Sequence, residues 1–385
     1  MGKQKVYQPE YYKKFSCIVG DCNDNCCRNA WIIMIDKVTY GKYMALEDGE
    51  REGFLKNIIV RGEEPLQAFI AFDENGLCRF LDDRGRCTIH LKYGHEFLSS
   101  VCRTYPRRIC KVGNDTEAFL ELSCEAAARL VLFDKGIIKF EEVVHERDDP
   151  NKYNCILAEK EYAPTENAIR IFWKLRTASI AAAQSRQYKL SARMLIIGSL
   201  IKQADELFKA GRYDEAARLG EEYLERLDSD QYCNLDEGRS AADELDVRFI
   251  NELLKKLELR ESALLSRCLA QAREGLGITP EGELPENIAD DFHRFYDMYL
   301  ADKEYILENY VVNHILTDGF PFNYYKEDSI MKNYRELLIK YNMVRFLLVG
   351  VSRRNLKFDK RRAVECVSSF SRAYDHIVGG ILVMK

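Results

Sequence analysis

Four cysteines fall within eleven residues near the start of this chain, Cys17, Cys22, Cys26 and Cys27, in the run Cys-Ile-Val-Gly-Asp-Cys-Asn-Asp-Asn-Cys-Cys. Five more follow by Cys124, so nine of the 13 cysteines sit in the first third of the sequence. Thiolates are the softest ligands a protein owns, and clustering them serves disulfides, zinc or iron-sulfur chemistry. The N-terminal residues carry no apolar signal core, and no apolar run reaches membrane-spanning length, the best being Met194 to Ile201. The chain therefore reads as cytoplasmic, where clustered cysteines are metal ligands more often than disulfides. A net charge of −5 argues against a general nucleic-acid or anionic-membrane binder, since either needs a basic footprint.

At 385 residues the expectation is two domains. Residues 1–135 are mixed in character and cysteine-rich; residues 136–385 are mainly helical. The fold expected is α+β, with a small metal- or cluster-binding domain packed on a larger α-helical one. In the first part, Trp31 to Ile35 reads as a buried strand. Leu77 to Leu81 and Arg86 to Ile89 read as a hairpin across Asp82 to Gly85, and a second hairpin spans Arg107 to Lys111 and Glu117 to Leu122. A helix follows from Cys124 to Phe133. From about Pro164 apolar residues recur at three- and four-residue spacing, predicting helices over Glu166–Ala183, Ser191–Ala210, Tyr213–Leu227, Ala241–Gly275, Pro285–Leu316, Met331–Gly350 and Asp359–Val378.

The cysteine spacings are Cys17-x4-Cys22, Cys22-x3-Cys26 and the adjacent pair Cys26-Cys27, with Cys78, Cys87, Cys102 and Cys124 beyond. No Cys-x2-Cys pair of a zinc ribbon is present. The spacing Cys22-x3-Cys26 matches the first half of the radical S-adenosylmethionine motif, but position 29 is Asn. Adjacent cysteines in extended backbone point to opposite sides, so two sites sharing this segment are easier to build than one. The candidate ligands are thus Cys17, Cys22, Cys26, Cys27, Cys78, Cys87, Cys102 and Cys124, with His90 and His95 as alternatives. Cys110, Cys155, Cys233, Cys268 and Cys366 read as buried apolar thiols. Two further polar groups draw notice: Arg103, Tyr105 and Arg107 beside the cysteines, and Glu308, Asn309, Tyr310 and Asn313 on one helix, set against ordinary packing as the plainer reading. Arg372 and His376 lie one turn apart.

With these residues in view, the chain resembles the bacterial flagellin lysine N-methylases and the wider group carrying a zinc- or iron-chelating cysteine domain. The resemblance runs through Pro9-Glu-Tyr-Tyr-Lys-Lys-Phe15, the Cys17 to Cys27 run, Trp31 and Ile35-Asp36-Lys37-Val-Thr39-Tyr40. It continues through Gly76-Leu-Cys78-Arg-Phe80, Arg86-Cys87-Thr-Ile89-His90, Cys102-Arg-Thr-Tyr-Pro-Arg107 and Leu120-Glu-Leu-Ser-Cys124, and returns at Glu308-Asn-Tyr310, Phe320-Pro-Phe322 and Ser369-Phe-Ser-Arg372. It implies transfer of methyl groups from S-adenosylmethionine to lysine side chains of flagellin, with an iron-sulfur cluster of the 4Fe-4S kind, or zinc, in the cysteine domain. None of the 22 glycines forms the Gly-x-Gly-x-x-Gly loop of a Rossmann methyltransferase, so catalytic and donor-binding residues stay unassigned by the sequence. The reading from a different class is a non-enzymatic metal- or cluster-binding sensor or scaffold.

Overall fold

The segment Gly2–Pro9 forms a strand, β1, that the sequence pattern does not announce. Its Val6 and Gln8 are buried while Lys5 and Tyr7 face out, the alternation of a strand with one wet face. The structure, a computed structural model, describes residues 2–19, 22–23, 26–27, 33–61, 67–147, 155–157, 165–229, 231–232, 249–253, 263–324 and 329–375. These divide into two units. One comprises residues 15–107 with 124–126; the other comprises residues 1–14, 108–123 and 127–385.

The cysteine-rich unit is built on a three-stranded antiparallel sheet of β2 (Met34–Ile35), β3 (Ile58–Arg61) and β4 (Gln67–Ile70), with β4 in the middle. Of the strand expected at Trp31 to Ile35, the described part is β2; Trp31 lies outside the described residues. Helices α1 (Lys37–Met44), α2 (Asp48–Leu55), α3 (Thr88–Tyr93) and α4 (Ser100–Thr104) complete it. Its core joins Ile33, Ile35, Tyr43, Phe54, Ile58, Ile70, Phe80, Ile89 and Leu98. The Tyr43 and Phe54 rings lie 4.4 Å apart. Asp36 caps α1 by accepting the Thr39 N–H at 3.0 Å, and its other oxygen accepts the Ser100 N–H at 2.9 Å, so one carboxylate ties the starts of two helices.

The hairpin expected at Leu77 to Ile89 is only partly formed. Leu81 and Cys87 meet in an isolated antiparallel bridge, and the chain then enters α3. The reason is local: Asp82 Oδ1 accepts the N–H groups of Arg84 and Arg86, which closes the turn on itself and spares it a longer ladder.

In the larger unit the sheet order is β7-β1-β6-β5-β8, with β5 (Arg107–Val112), β6 (Asp115–Leu120), β7 (Phe140–Arg147) and β8 (Cys155–Leu157). β1 runs parallel to β6 and antiparallel to β7, pairing Val6 with Val143. The second expected hairpin is present as β5 and β6. Helix α5 (Glu125–Leu132) occupies the span predicted from Cys124.

The helical pattern holds in α6 (Thr165–Gln184), α7 (Leu190–Lys209), α8 (Tyr213–Asp228), α9 (Ala263–Gly275), α10 (Ile288–Tyr299), α11 (Glu304–Thr317), α12 (Ile330–Arg354) and α13 (Lys360–Asp375). The single helix expected over Pro285–Leu316 is two, broken at Ala301–Lys303 without a glycine or proline to mark it. Much of the helix expected over Ala241–Gly275 lies outside the described residues. The architecture is α+β, as expected from a mixed first part followed by a mainly helical remainder.

Helices α9 and α12 cross at glycines. A Cβ on Gly350 would stand 2.7 Å from the Ala272 Cα, and one on Gly275 would stand 2.8 Å from the Arg354 N. Both neighbours are backbone and cannot move aside. Gly350→Ala is therefore expected to destabilise the protein by about 1–3 kcal/mol, read as a lowered midpoint in thermal or urea unfolding. In the smaller unit, burial opposes the charge on Asp36, but the hydrogen bonds from Thr39 and Ser100 win and hold its carboxyl at about 2. That stabilisation is present above the unfolded value near 4 and is lost as pH falls through about 2. Asp36→Ala should cost about 1–2 kcal/mol at pH 7. The difference from wild type should shrink between about pH 4 and 2, measured by urea unfolding across that range.

Candidate functional site

All eight candidate cysteines lie in the cysteine-rich unit, each with at least one other of them as a neighbour. Cys27 is hydrogen-bonded through sulfur to Cys26 and Cys78. The Cys78 N–H also donates to the Cys27 carbonyl at 2.8 Å. Cys87 lies beside Cys78 and Cys26, and Cys102 beside Cys26, Cys87 and Cys78. Cys22 neighbours Cys124, Cys26 and Cys17. Cys124 is delivered by the short segment 124–126, which belongs to this unit while the chain on either side belongs to the other.

Burial and these neighbours push the thiols up: Cys87 to about 11 and Cys102 to about 12, with Cys22 and Cys27 higher still. For Cys27 the hydrogen bonds to Cys26 and Cys78 are the larger cause, followed by burial. Cys78 moves the other way: its hydrogen bond with Cys27 holds it below the usual thiol value, against burial.

Several sulfurs accept backbone N–H groups: Cys17 from Val19 at 3.4 Å, Cys78 from Phe80, and Cys87 from His90 and Ile89. His95 Nε2 lies 3.2 Å from the Arg103 carbonyl oxygen, and the rings of His90 and His95 are 6.0 Å apart. Arg107 donates to the Phe15 carbonyl at 2.8 Å and covers its ring at 4.7 Å, and its charge lies near Cys17. Arg103 lies 3.7 Å from Glu96.

Of the remaining cysteines, Cys110 and Cys155 stand opposite each other on β5 and β8 and form a disulfide, so they are buried but not the free thiols expected. Cys268 on α9 and Cys366 on α13, expected to be isolated, are both buried and hydrogen-bonded to each other. Cys233 and His376 lie outside the described residues.

In the larger unit, the polar residues of α11 resolve as packing. Every residue from Ile306 to Thr317 is buried. Glu308 is held by Arg193 at 2.8 Å and Arg186 at 2.9 Å. Asn309 donates to the carbonyls of Val131 and Asp134, and Asn313 to the Tyr11 hydroxyl and the Leu120 carbonyl. Arg372 donates to the Ser123 carbonyl at 2.8 Å.

One buried charged cluster escaped the sequence reading altogether. Lys340, in the middle of α12 and 3% exposed, places its Nζ 2.9 Å from both Asp318 and Asp375. His314 sits between the same carboxylates, its Nδ1 3.6 Å from Asp318 and its Nε2 3.8 Å from Asp375, with the Tyr310 ring 4.3 Å away. Burial favours a neutral lysine, but Asp318 and Asp375 outweigh it and raise Lys340 well above its usual value. Burial likewise raises Asp318, and Lys340 and His314 more than offset that, holding it well below the usual carboxylate range. The ligand atoms of His314, Asp318 and Asp375 lie within 4.8 Å of one another, spacing suited to a metal ion. The lysine ammonium already supplies the cation there, so the cluster reads as an internal ion pair. The sequence signal was faint: a lysine on the apolar stripe Leu337, Lys340, Tyr341, Val344 must find an acid, but nothing local says which.

Comparison with known proteins identifies the class to which the larger unit points. The profile described as the FliB lysine N-methylase C-terminal domain matches residues 176–378, a span running from within α6 past the end of α13. The chain belongs to the FliB lysine N-methylase family. It is similar to a lysine-N-methylase of Salmonella typhimurium, 28% identical over 145 residues, covering 36% of this chain and 35% of that protein. It is equally similar to the flagellar biosynthetic protein FliU of Salmonella muenchen, 28% identical over 137 residues, covering 34% of this chain and 78% of that protein. The chain thus spans about a third of the length of the lysine-N-methylase it matches. No solved structure matches the chain.

Replacing Lys340 by Met leaves two partly buried carboxylates beside His314 without their cation. Lys340→Met is expected to cost about 3–5 kcal/mol of stability at pH 7, measured by urea unfolding. In the wild type, the contribution of Asp318 is complete above the unfolded carboxylate value near 4 and is lost only on strong acidification. In Lys340→Met much of it should be missing at every pH.

Proposed function

We propose that this chain is an S-adenosylmethionine-dependent protein-lysine N-methyltransferase whose substrate is flagellin. The observation that carries this reading is the family match over residues 176–378. The naming of similar proteins as a lysine-N-methylase and a flagellar biosynthetic protein supports lysine as the acceptor and flagellin as its carrier.

In this reaction the substrate ε-amine, having lost a proton, attacks the sulfonium methyl in line; an N–C bond forms as the C–S bond breaks, and S-adenosylhomocysteine leaves. The amine must be neutral to attack, so the protein has to desolvate it and align it with the donor. The charges around Lys340 show how this fold keeps a buried ammonium charged, with two partly buried carboxylates against one cation. A reacting lysine needs the opposite environment, which is a reason to place chemistry elsewhere than in that cluster.

The cysteine-rich unit is proposed to hold an iron-sulfur cluster or zinc through residues from the set Cys17, Cys22, Cys26, Cys27, Cys78, Cys87, Cys102 and Cys124. Soft sulfur donors that already accept backbone N–H groups fit such a centre, because those bonds orient the sulfur and favour its thiolate form. The centre would fasten segments distant in sequence and neutralise the sulfur charge. Among the described residues no helix is long and apolar enough to cross a membrane, in keeping with a protein substrate met in aqueous solution.

The test is methyl transfer with anaerobically purified protein, labelled S-adenosylmethionine and flagellin monomers. Label on flagellin lysines with wild type, and at least a tenfold loss in a Cys26→Ser, Cys27→Ser variant that retains its helical circular dichroism, is the expected result. No label from folded, metal-loaded wild type would overturn the enzyme reading and favour a metal-binding sensor or scaffold.

A further inference from the structure

We infer that the turn joining α12 to α13 is a docking surface for an acidic segment of a protein partner, with Leu356 as its apolar contact and the surrounding lysines and arginines as its charged one.

The run Arg353-Arg-Asn-Leu-Lys357-Phe-Asp-Lys360-Arg-Arg362 carries six basic residues and one acid, in a chain whose net charge is −5. The last turn of α12 supplies Arg353 and Arg354. Cations at a helix C-terminus complement the dipole, so this pair has a structural reason. The next group does not. Lys360, Arg361 and Arg362 open α13 with no acidic residue in its first turn, so three cations stand at the positive end of that helix. Helix stability disfavours them there, and a bound anionic group would reverse that balance.

The internal acids leave part of this charge uncompensated. Glu365, 3% exposed, is shared by Arg361 at 3.2 Å, Arg362 at 3.6 Å and Arg267 of α9 at 3.4 Å. Glu274 pairs with Arg354, and Asp359 accepts the Arg362 N–H at 3.0 Å. Among the described residues Arg353, Lys357 and Lys360 make no ion pair. Arg353 and Lys360 instead cover the rings of Phe295 and Phe133, at 4.7 and 5.1 Å.

The same turn exposes an apolar tip. The Leu356 N–H donates to the Arg353 carbonyl at 3.2 Å and the Lys357 N–H to the Ser352 carbonyl at 3.1 Å, a helix ending that puts Leu356 in the left-handed region at φ 54°. Glycine is the usual occupant of that position. Here it is a leucine, left 68% exposed between basic residues. Next to it lies a small cleft whose lining includes Ser352, Asn355, Lys357 and Arg362, all hydrogen-bond donors, together with Asp359. The cleft has room for about one water-sized group, such as one oxygen of a carboxylate.

A short protein segment bearing acids beside an apolar residue matches both features at once. Single-stranded nucleic acid binds by stacking bases on open rings, and the rings here are covered: Phe133 by Lys360, Phe295 by Arg353, and Phe358 by Lys303 at 5.7 Å. An anionic membrane is an extended plane that repels the rest of a chain of net charge −5, and one leucine gives it little to hold.

The test is fluorescence anisotropy of full-length protein with a fluorescein-labelled twelve-residue peptide of glutamate and aspartate interrupted by two leucines. Saturable binding that weakens steadily as salt rises is expected. Lys357→Glu combined with Lys360→Glu should raise Kd about tenfold or more while the urea-unfolding midpoint stays at or above the wild-type value. Lys202→Glu combined with Lys209→Glu changes the net charge equally at exposed positions of α7, and should leave Kd within about twofold. Leu356→Ser should weaken binding of the leucine-bearing peptide several-fold but not that of a peptide with serine in place of leucine. Absence of saturable binding, or equal loss in the two charge-reversed pairs, would overturn the proposal. So would tighter binding of phosphatidylserine vesicles or of a single-stranded oligodeoxynucleotide that is lost in Lys357→Glu, Lys360→Glu, which would give the turn a different class of partner.

Discussion

Helix α11 is buried from Ile306 to Thr317, yet it carries Glu308, Asn309, Asn313 and His314. Interior polar groups must find partners, because each one left alone costs about 1–3 kcal/mol. The partners come from everywhere in the larger unit. Arg186 follows α6, Arg193 lies on α7, the carbonyls of Val131 and Asp134 flank the end of α5, Tyr11 follows β1, and Lys340 and Asp375 belong to α12 and α13. The bonds this one helix makes therefore tie it to most others. Apolar burial alone would tolerate several packings of these helices; directional bonds to a buried axis select one.

The cysteine-rich unit solves the same problem with less chain. Its three strands are short and its apolar core is small, so local devices carry much of the order: the Asp36 cap, the turns closed by Asp73 and Asp82 and the packing of Tyr43, Phe54 and Phe80. These devices hold the sulfurs in a buried setting, and burial first, then neighbouring thiols, raises Cys87 and Cys102. Concentrating acidic sulfur in one place disfavours the ionised form, and a bound cation reverses that balance. The family match falls on the other unit, so the two halves of the chain reach the proposed function along separate lines of argument.

Much of the candidate site was legible in advance because cysteine is chemically distinctive. The spacing of Cys17 to Cys27, and the recurrence at Cys78, Cys87, Cys102 and Cys124, marks these eight as candidate ligands, and the structure places them in one unit. Reading Glu308, Asn309 and Asn313 was harder. Their helical spacing is compatible with a cleft or with an interior, and only the identity of their partners decides for packing. Lys340 was invisible for a related reason: its acids lie 22 and 35 residues away in the chain, on the far side of turns whose geometry no local pattern records.

The sequence by itself determined most of the described helices from Glu166 onward, though not the break at Ala301–Lys303, together with the β5–β6 hairpin and the set of thiols, since periodicity, turn residues and ligand chemistry are properties of neighbouring residues. Tertiary structure decided what depends on distance in space: that β1 pairs with β6 and β7, that Cys110 meets Cys155 and Cys268 meets Cys366, and that Lys340 lies between Asp318 and Asp375. Strand partners, thiol pairs and buried ion pairs are chosen by which surfaces must leave water together, and a linear pattern carries the demand for a partner without saying where the partner is.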